Sequence, residues 1–330
     1  MKFLDMKKID MFLRNGVIHV GQPIALDAGM ALAGVGRVFW LDGANGSDVN
    51  DGQSPHRAVK TLTRALALMT ADQNDILFWI GGDTSVADTA QIVWSKDYCH
   101  IFGIASPTPN ARCKHTASGC TANQAGFKVT AKGCVFTNIR FWQSTNVATV
   151  GAVEVAASQN FFFNCDFLGQ VTANPAGGAN AYSLFLNGAA ECRFVNCQIG
   201  TDTYKRTDGA PLKLDGSSAR NEFIECRFSS YCETAAKPMV KFVDTAALDR
   251  YLLFKNCWFY NFYENHGAKL NECFTIPASC HTHDIIIDRC TAVGITEWAS
   301  GDRGSIWVTG GAPAAGSTGV GSSGIAVQPT

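Results

Sequence analysis

The sequence predicts an all-β chain wound into a solenoid of stacked parallel strands, capped at its N-terminal end by a helix and flanked by extended terminal arms. Three observations carry this. The hexapeptide FKNCWF (Phe254–Phe259) returns as FFNCDF (Phe162–Phe167), FVNCQI (Phe194–Ile199) and FIECRF (Phe223–Phe228), with looser copies FTNIRF (Phe136–Phe141) and IDRCTA (Ile287–Ala292). Fixed-period self-similarity is the mark of a stacked architecture. A second series runs ahead of the first: FKV (Phe127–Val129), VEV (Val153–Val155), LFL (Leu184–Leu186), LKL (Leu212–Leu214), VKF (Val240–Phe242) and FTI (Phe274–Ile276). Each is apolar-x-apolar, the period-2 pattern of a strand with one buried face. Each is followed 10 to 15 residues later by the Cys or Ile of the first series. Composition agrees, because 17% charged residues and 32 Gly suit a chain of many short strands and turns.

The elements follow in chain order. Residues 1–36 read as a short helix and a small-residue segment, an N-terminal arm or attachment segment. Residues 37–74 hold a lead-in segment and the capping helix. In SPHRAVKTLTRALALM, Ser54 suits an N-cap and Pro55 the first helical position. Val59, Leu62, Leu66 and Met69 follow at helical spacing, so this amphipathic helix is placed over the first coil. Asp48–Gly52 has the look of a calcium loop, but position 12 carries Val59 rather than the bidentate Glu, and turn chemistry accounts for it better. Strands at Ile76–Ile80, Ile92–Trp94 and Ile101–Ile104 begin a stack that fills residues 75–308. Residues 309–330 are rich in Gly, Ala and Ser and bury too little to fold alone. Both ends are either frayed termini or arms that order against neighbouring subunits.

The repeat has a local explanation. Its first Phe and its Cys are three apart, so a straight strand would point them to opposite faces. Both face inward only if the chain turns a corner between them. Asn138, Asn164, Asn196 and Asn256 stand at that corner. Asn tolerates the left-handed conformation of a sharp turn, and stacked Asn side chains hydrogen-bond to one another. Glu225 and Arg289 depart from the Asn rule. Cys165, Cys197, Cys226, Cys257 and Cys290 recur at spacings of 32, 29, 31 and 33, as small buried hydrophobes rather than disulfide partners.

Coils of this length, with inward aromatic stacks and an Asn ladder, resemble the right-handed parallel β-helix family over residues 75–308. That family includes pectate lyases, polygalacturonases and phage tailspikes. The lead-in WLDGANGSDVNDGQSP is similar to segments found in such proteins of phages and bacteria. The resemblance implies a fold and leaves the activity open.

An active site of the glycosidase kind needs two carboxyl groups roughly 5–9.5 Å apart. The outward position after each corner holds Arg140, Asp166, Gln198, Arg227, Trp258 and Thr291; the middle of the second series holds Lys128, Glu154, Phe185, Lys213, Lys241 and Thr275. Neither row brings two acids to adjacent coils. Asp202, Asp208 and Asp215 are the candidate catalytic acids, if their loops converge on one side of the coil; a solvated polar loop is the plainer reading. Cys280, His281 and His283, and likewise Cys113, His115 and Cys120, bring metal-ligating types together without a finger or ribbon spacing. No cofactor is expected. Phe185 and Trp258 are expected to face outward, with Tyr260 and Tyr263 near Trp258, to stack on a glycan or to anchor a subunit interface.

A net charge of −1 offers no field for nucleic acid, and no stretch of about 20 apolar residues offers a membrane span. Asp5, Lys7, Lys8 and Asp10 interrupt any secretory signal, so synthesis in a bacterial host cytoplasm is expected. The resemblance, with the scarcity of catalytic motifs, points to a non-enzymatic structural protein on the surface of a tailed-phage virion. A capsid decoration or cement role fits first, with a homotrimer and the major capsid protein as partners. The alternative is a tailspike or tail-fibre protein that binds or depolymerises a host surface polysaccharide. A bacterial carbohydrate-active β-helix is disfavoured by the missing signal peptide.

Overall fold

The computed structural model describes residues 36–243, 247–262, 269–277, 284–299 and 306–309. The two arms expected at 1–36 and 309–330 lie outside them, save for Gly36 and Thr309. No described helix is long and apolar enough to cross a membrane.

Each coil contributes one strand to each of three parallel sheets. Among the described residues, sheet 1 has ten strands from Val38–Asp42 to Ile306–Thr309, sheet 2 has eight from Val86–Asp88 to Thr291–Val293, and sheet 3 has seven from Ile92–Trp94 to Phe274–Thr275. A representative turn runs Val135–Thr137 in sheet 1, Ile139–Gln143 in sheet 2 and Gly151–Val155 in sheet 3, then returns to sheet 1 at Phe161–Phe163. About seven turns stack in this way, as the repeat predicts.

The interior follows from the hexapeptide. Phe136, Phe162, Phe194, Phe223 and Phe254 form a continuous pile, with successive ring centroids 4.7, 4.9, 4.7 and 5.1 Å apart. Register without slip puts identical side chains one strand spacing apart, and that spacing suits offset stacked rings. The corner residue then takes positive φ in every copy: 58° at Asn138, 52° at Asn164, Asn196 and Asn256, 54° at Glu225 and 52° at Arg289. Glu225 and Arg289 therefore turn the same corner without the Asn side chain. Where Asn is present in successive coils it bonds along the stack. Asn164 Nδ2 donates to Asn138 Oδ1 (2.9 Å), and Asn196 Nδ2 donates to Asn164 Oδ1 (3.1 Å). Glu225 intervenes before Asn256, and the amide chain ends there.

The Cys positions have an equally local cause. Cys165, Cys197, Cys226, Cys257 and Cys290 are buried free thiols. Each donates to the carbonyl of the piled Phe one coil earlier, at 3.5, 3.5, 3.3, 3.2 and 3.4 Å. A small side chain with a weak donor fits that slot. Burial pushes the Cys165 and Cys226 thiols well above the ordinary range, so they stay protonated.

The cap differs from expectation. Pro55–Arg57 is a single 3-10 turn, Val59 bridges to Leu41 in an extended stretch, and the helix α1 covers only Leu62–Leu68. Its N-cap is Thr61, whose Oγ1 accepts from Arg64 N at 3.1 Å, and not Ser54. The cause is Asp48, whose carboxylate accepts from the Lys60 and Thr61 amides and the Thr61 hydroxyl, holding the chain extended just ahead of the helix. Val59, Leu62 and Met69 still close the first coil.

Candidate functional site

The in-register stack lines up one outward residue per coil along sheet 2: Lys114, Arg140, Asp166, Gln198, Arg227, Trp258 and Thr291. Two walls turn this row into a groove. One is the 105–112 loop, which brings Pro109 and Asn110 over the sheet. The other is a bulge between Thr201 and Lys205, where the register with the next strand shifts and Asp202 projects. Gly200 starts that bulge at φ +88, and Ser229 O lies 2.2 Å from where a Cβ would sit, so only Gly fits. The groove consists of a cavity of about 250 Å³ running from Arg140 past Asp166 and Asp202 to Trp258 and Tyr260, joined to one of about 380 Å³ beside Asp83, Lys114 and Trp142. The two share Asn110 and Arg140. From Lys114 to Trp258 is five strand steps, about 24 Å.

A buried cluster fixes the loop wall. Arg112 Nε donates to Pro107 O at 3.2 Å, and its Nη2 donates to Asn164 Oδ1 at 2.6 Å. Its Nη1 pairs with Asp166 Oδ1. Asn164 Nδ2 donates to Pro107 O at 3.1 Å. A loop residue thus reaches two coils along the stack. Asp166 is only 1% exposed, and its Oδ2 has no hydrogen-bond partner among the described residues. Burial pushes its carboxyl up to about 6, against the opposing pull of Arg112 and Arg140.

Aromatic side chains flank both ends. The Arg140 guanidinium lies 4.8 Å from the Trp142 ring centre, and the Arg227 guanidinium 5.3 Å from that of Trp258. Trp258 is 39% exposed and stands 5.2 Å from half-buried Tyr260. Neither Arg140 nor Arg227 forms an ion pair among the described residues. By contrast, Arg57, Arg193 and Arg220 each hold a carboxylate.

The three candidate acids do not meet. Asp202 projects from the bulge into the groove. Asp208 sits at the corner before Ala210–Asp215, where its Oδ1 pairs with Lys237 Nζ (2.8 Å) and accepts from Gly209 N (2.8 Å). Burial alone would raise its pKa, but those two bonds lower it. Asp215 closes the far end of that strand, about 20 Å away by strand rise, and accepts from Gly216 N. Among the described residues, Asp166 and Asp202 are the carboxylates lining the cavity between Arg140 and Trp258. Asp202 follows Gln198, the partner of Asp166, by four residues, or about 13 Å of extended chain.

Phe185 also corrects an expectation. It points away from the interior, as its place between Leu184 and Leu186 requires, yet it is 8% exposed. Tyr182 packs against it at 5.1 Å, and Lys213 Nζ lies 4.3 Å from its ring centre. Lys213 pairs in register with Lys241, as expected, and Lys241 Nζ turns away to Ala179 O at 3.1 Å. Tyr263, Cys280, His281 and His283 lie outside the described residues. In the other metal candidate, Cys113 donates to Trp79 O, His115 Nε2 meets Asp88 at 3.1 Å, and Cys120 donates to Ala125 O. Among the described residues no such cluster is arranged to hold a metal. Sequence reading missed Arg112, whose only signal is its place after the Pro- and Asn-rich SPTPNA.

No protein-family model and no curated protein matches the chain. Among solved structures, pectate lyase Pel9A superposes with a TM-score of 0.58 at 17% identity, over 82% of this chain and 68% of that one. Pectin methylesterase PemA from Erwinia chrysanthemi gives 0.45 at 12%, over 84% and 70%. ORF18 of Geobacillus virus E2 gives 0.43 at 11%, over 91% and 63%. The likeness to Pel9A establishes the architecture, a right-handed parallel β-helix, and carries no chemistry with it.

Proposed function

We propose that the chain is a non-enzymatic structural protein of a phage particle that holds a surface polysaccharide in the groove of sheet 2. The observation that carries this reading is the groove's lining. Exposed Trp258 and half-buried Tyr260 and Trp142 offer faces for sugar rings, and Arg140 and Arg227, without an ion pair among the described residues, offer donors. Of the carboxylates on that lining, Asp166 is buried and held by Arg112, which favours binding over cleavage. The phage context is supported by the resemblance of the repeat to tailspikes and by the scarcity of catalytic motifs.

This reading favours a tail-associated or adhesive role over capsid cement. The cement reading draws on Trp258 and Phe262, exposed at the two ends of one strand face, as an apolar interface between subunits of a trimer or with the capsid protein. Two measurements separate them. Host capsule or lipopolysaccharide should bind wild-type protein, release no oligosaccharide on long incubation, and lose binding at least ten-fold with Trp258→Ala. Quantitative mass spectrometry of particles should find few copies relative to the major capsid protein. Near-equal copies without glycan binding would establish the cement role, and released oligosaccharide would establish an enzyme.

A further inference from the structure

Sheet 1 carries a mostly apolar outer face. In-register pairing runs two outward rows along it. One reads Phe161, Arg193, Glu222, Leu253, Ile286 and Trp307, the other Phe163, Val195, Ile224, Lys255 and Asp288. Most of these side chains are half-buried, Arg193 is exposed, and Trp307 is 53% exposed. Polar corners flank the band, with Asn196, Glu225 and Asn256 exposed on one side and Glu191 paired to Arg220 on the other. An apolar band inside a polar rim is the anatomy of a protein interface.

The two charges on the first row decide what fits it. Arg193 and Glu222 stand on adjacent strands, with Nη2 to Oε2 at 2.6 Å. A second copy laid face to face is related by a two-fold axis that runs either along the solenoid or along the strands. The first kind sets equal heights opposite one another, so Arg193 meets another Arg193 or, with the axis between the rows, Val195. The second kind turns the solenoids antiparallel and keeps each row over itself. Placed between Arg193 and Glu222, that axis sets Arg193 of each copy over Glu222 of the other. The remaining levels then match: Phe161 meets Leu253, Val195 meets Ile224, Lys255 meets the ring of Phe163, and Asp288 meets the hydroxyl of Thr137, the residue beside Phe163 on the preceding strand. Half a step either way opposes Arg193 to Arg193 or Glu222 to Glu222. A full step sets Glu222 against Val135 or Leu253.

We propose that the outer face of sheet 1 joins two copies of this chain in an antiparallel, isologous dimer centred between Arg193 and Glu222. Four charges close into a ring at the axis, and the rows of Phe, Val, Ile and Leu on either side supply the buried area. Eight facing strands, spaced about 4.8 Å and each about 16 Å long, give roughly 600 Å² per copy and about 1,200 Å² in all, the lower end of a specific interface. The pairing does not depend on what the groove of sheet 2 holds, because the two sheets face different ways.

Sedimentation equilibrium of the full chain over a concentration series should show monomer and dimer in exchange. Arg193→Glu and Glu222→Arg each oppose like charges across the axis and should weaken the dimer at least ten-fold. An equal mixture of the two variants should restore it as a heterodimer, because every Glu then faces an Arg of the other copy. A purely intramolecular role for the pair gives no such rescue, since neither chain regains its own partner. Arg193→Gln and Glu222→Gln introduce no repulsion and should each weaken association several-fold, which keeps the inference falsifiable if a reversed variant melts early. A monomer at every concentration, a trimer, a dimer that the charge reversals leave intact, or a mixture that stays monomeric would overturn it. Glycan binding by a strictly monomeric chain would overturn the dimer and leave the groove reading in place.

Discussion

Along the same coils, the inside and the outside obey opposite rules. Inward positions repeat the residue: Phe162, Phe194, Phe223 and Phe254 are piled and buried, each followed by an αL corner and, three residues on, a buried Cys. One residue further, the outward row reads Arg140, Asp166, Gln198, Arg227 and Trp258, with no two successive rungs alike. The inside repeats because each coil presents the next with the same slot at the same height. The outside is free of that demand, so its residues vary from rung to rung.

The comparison breaks most visibly at Phe194. Phe194→Ala removes a ring stacked on both sides and should cost about 3–5 kcal/mol, read by denaturant unfolding. The second effect follows pH. His100 is buried on the first coils, accepting from Val135 N at Nδ1 (3.1 Å), and desolvation pulls its pKa down to about 4. Its folded pKa lies below the unfolded value, so its contribution is complete above about pH 6.5 and is lost as pH falls toward 4, up to about 3 kcal/mol. Asp166, pushed up to about 6, acts with the reverse sign: the folded state binds its proton more readily, so stability falls as pH rises from about 4 to 6. The two therefore offset each other between pH 4 and 6. His100→Gln should expose the Asp166 slope, giving a melting temperature that rises on acidification across that window; an unchanged profile would show that His100 does not titrate there.

Third comes Asn164→Ala, which strips partners from Asn138, Asn196 and Arg112 and places Ala in an αL corner. A loss of about 1–3 kcal/mol is expected, together with weakened glycan binding, because the 105–112 wall loses its anchor. Smallest on stability is Trp258→Ala, within about 0.5 kcal/mol of wild type although binding should suffer most. If Trp258→Ala destabilises as much as Phe194→Ala, the division between inside and outside is wrong.

Most of the inside was legible because it depends on sequence period and on one corner. The positive-φ turn holds even at Glu225 and Arg289, where the Asn signal is missing, since the stack above and below imposes it. A second corner series escaped notice. Cys134, Asn160, Cys192 and Asn221 alternate at equivalent places, the first three just before a sheet 1 strand and Asn221 inside Ser218–Ile224, with Asn160 Oδ1 accepting from Cys134 N and Asn221 Oδ1 from Cys192 N. It lies four residues ahead of each first corner and was readable there. The outside was only half legible. Alternation gives a side chain's direction but not its cover, which is why Phe185 is buried beneath Tyr182 and Lys213. Arg112 reaches Asp166 across 54 residues of chain through a loop that belongs to no repeat. Likewise Asp48, rather than the Ser54–Pro55 signal, set where the capping helix begins.

Because every corner has the same backbone, whole turns are interchangeable parts. Excising residues 165–196 would join Asn164 to Cys197, an Asn–Cys junction the chain already uses elsewhere. The groove would then shorten by one notch, bringing Arg140 and Arg227 to about 10 Å. Loss of a turn would thus change the length of the groove in a discrete step while keeping the corner sequence, at the cost of the Arg112–Asp166 pair.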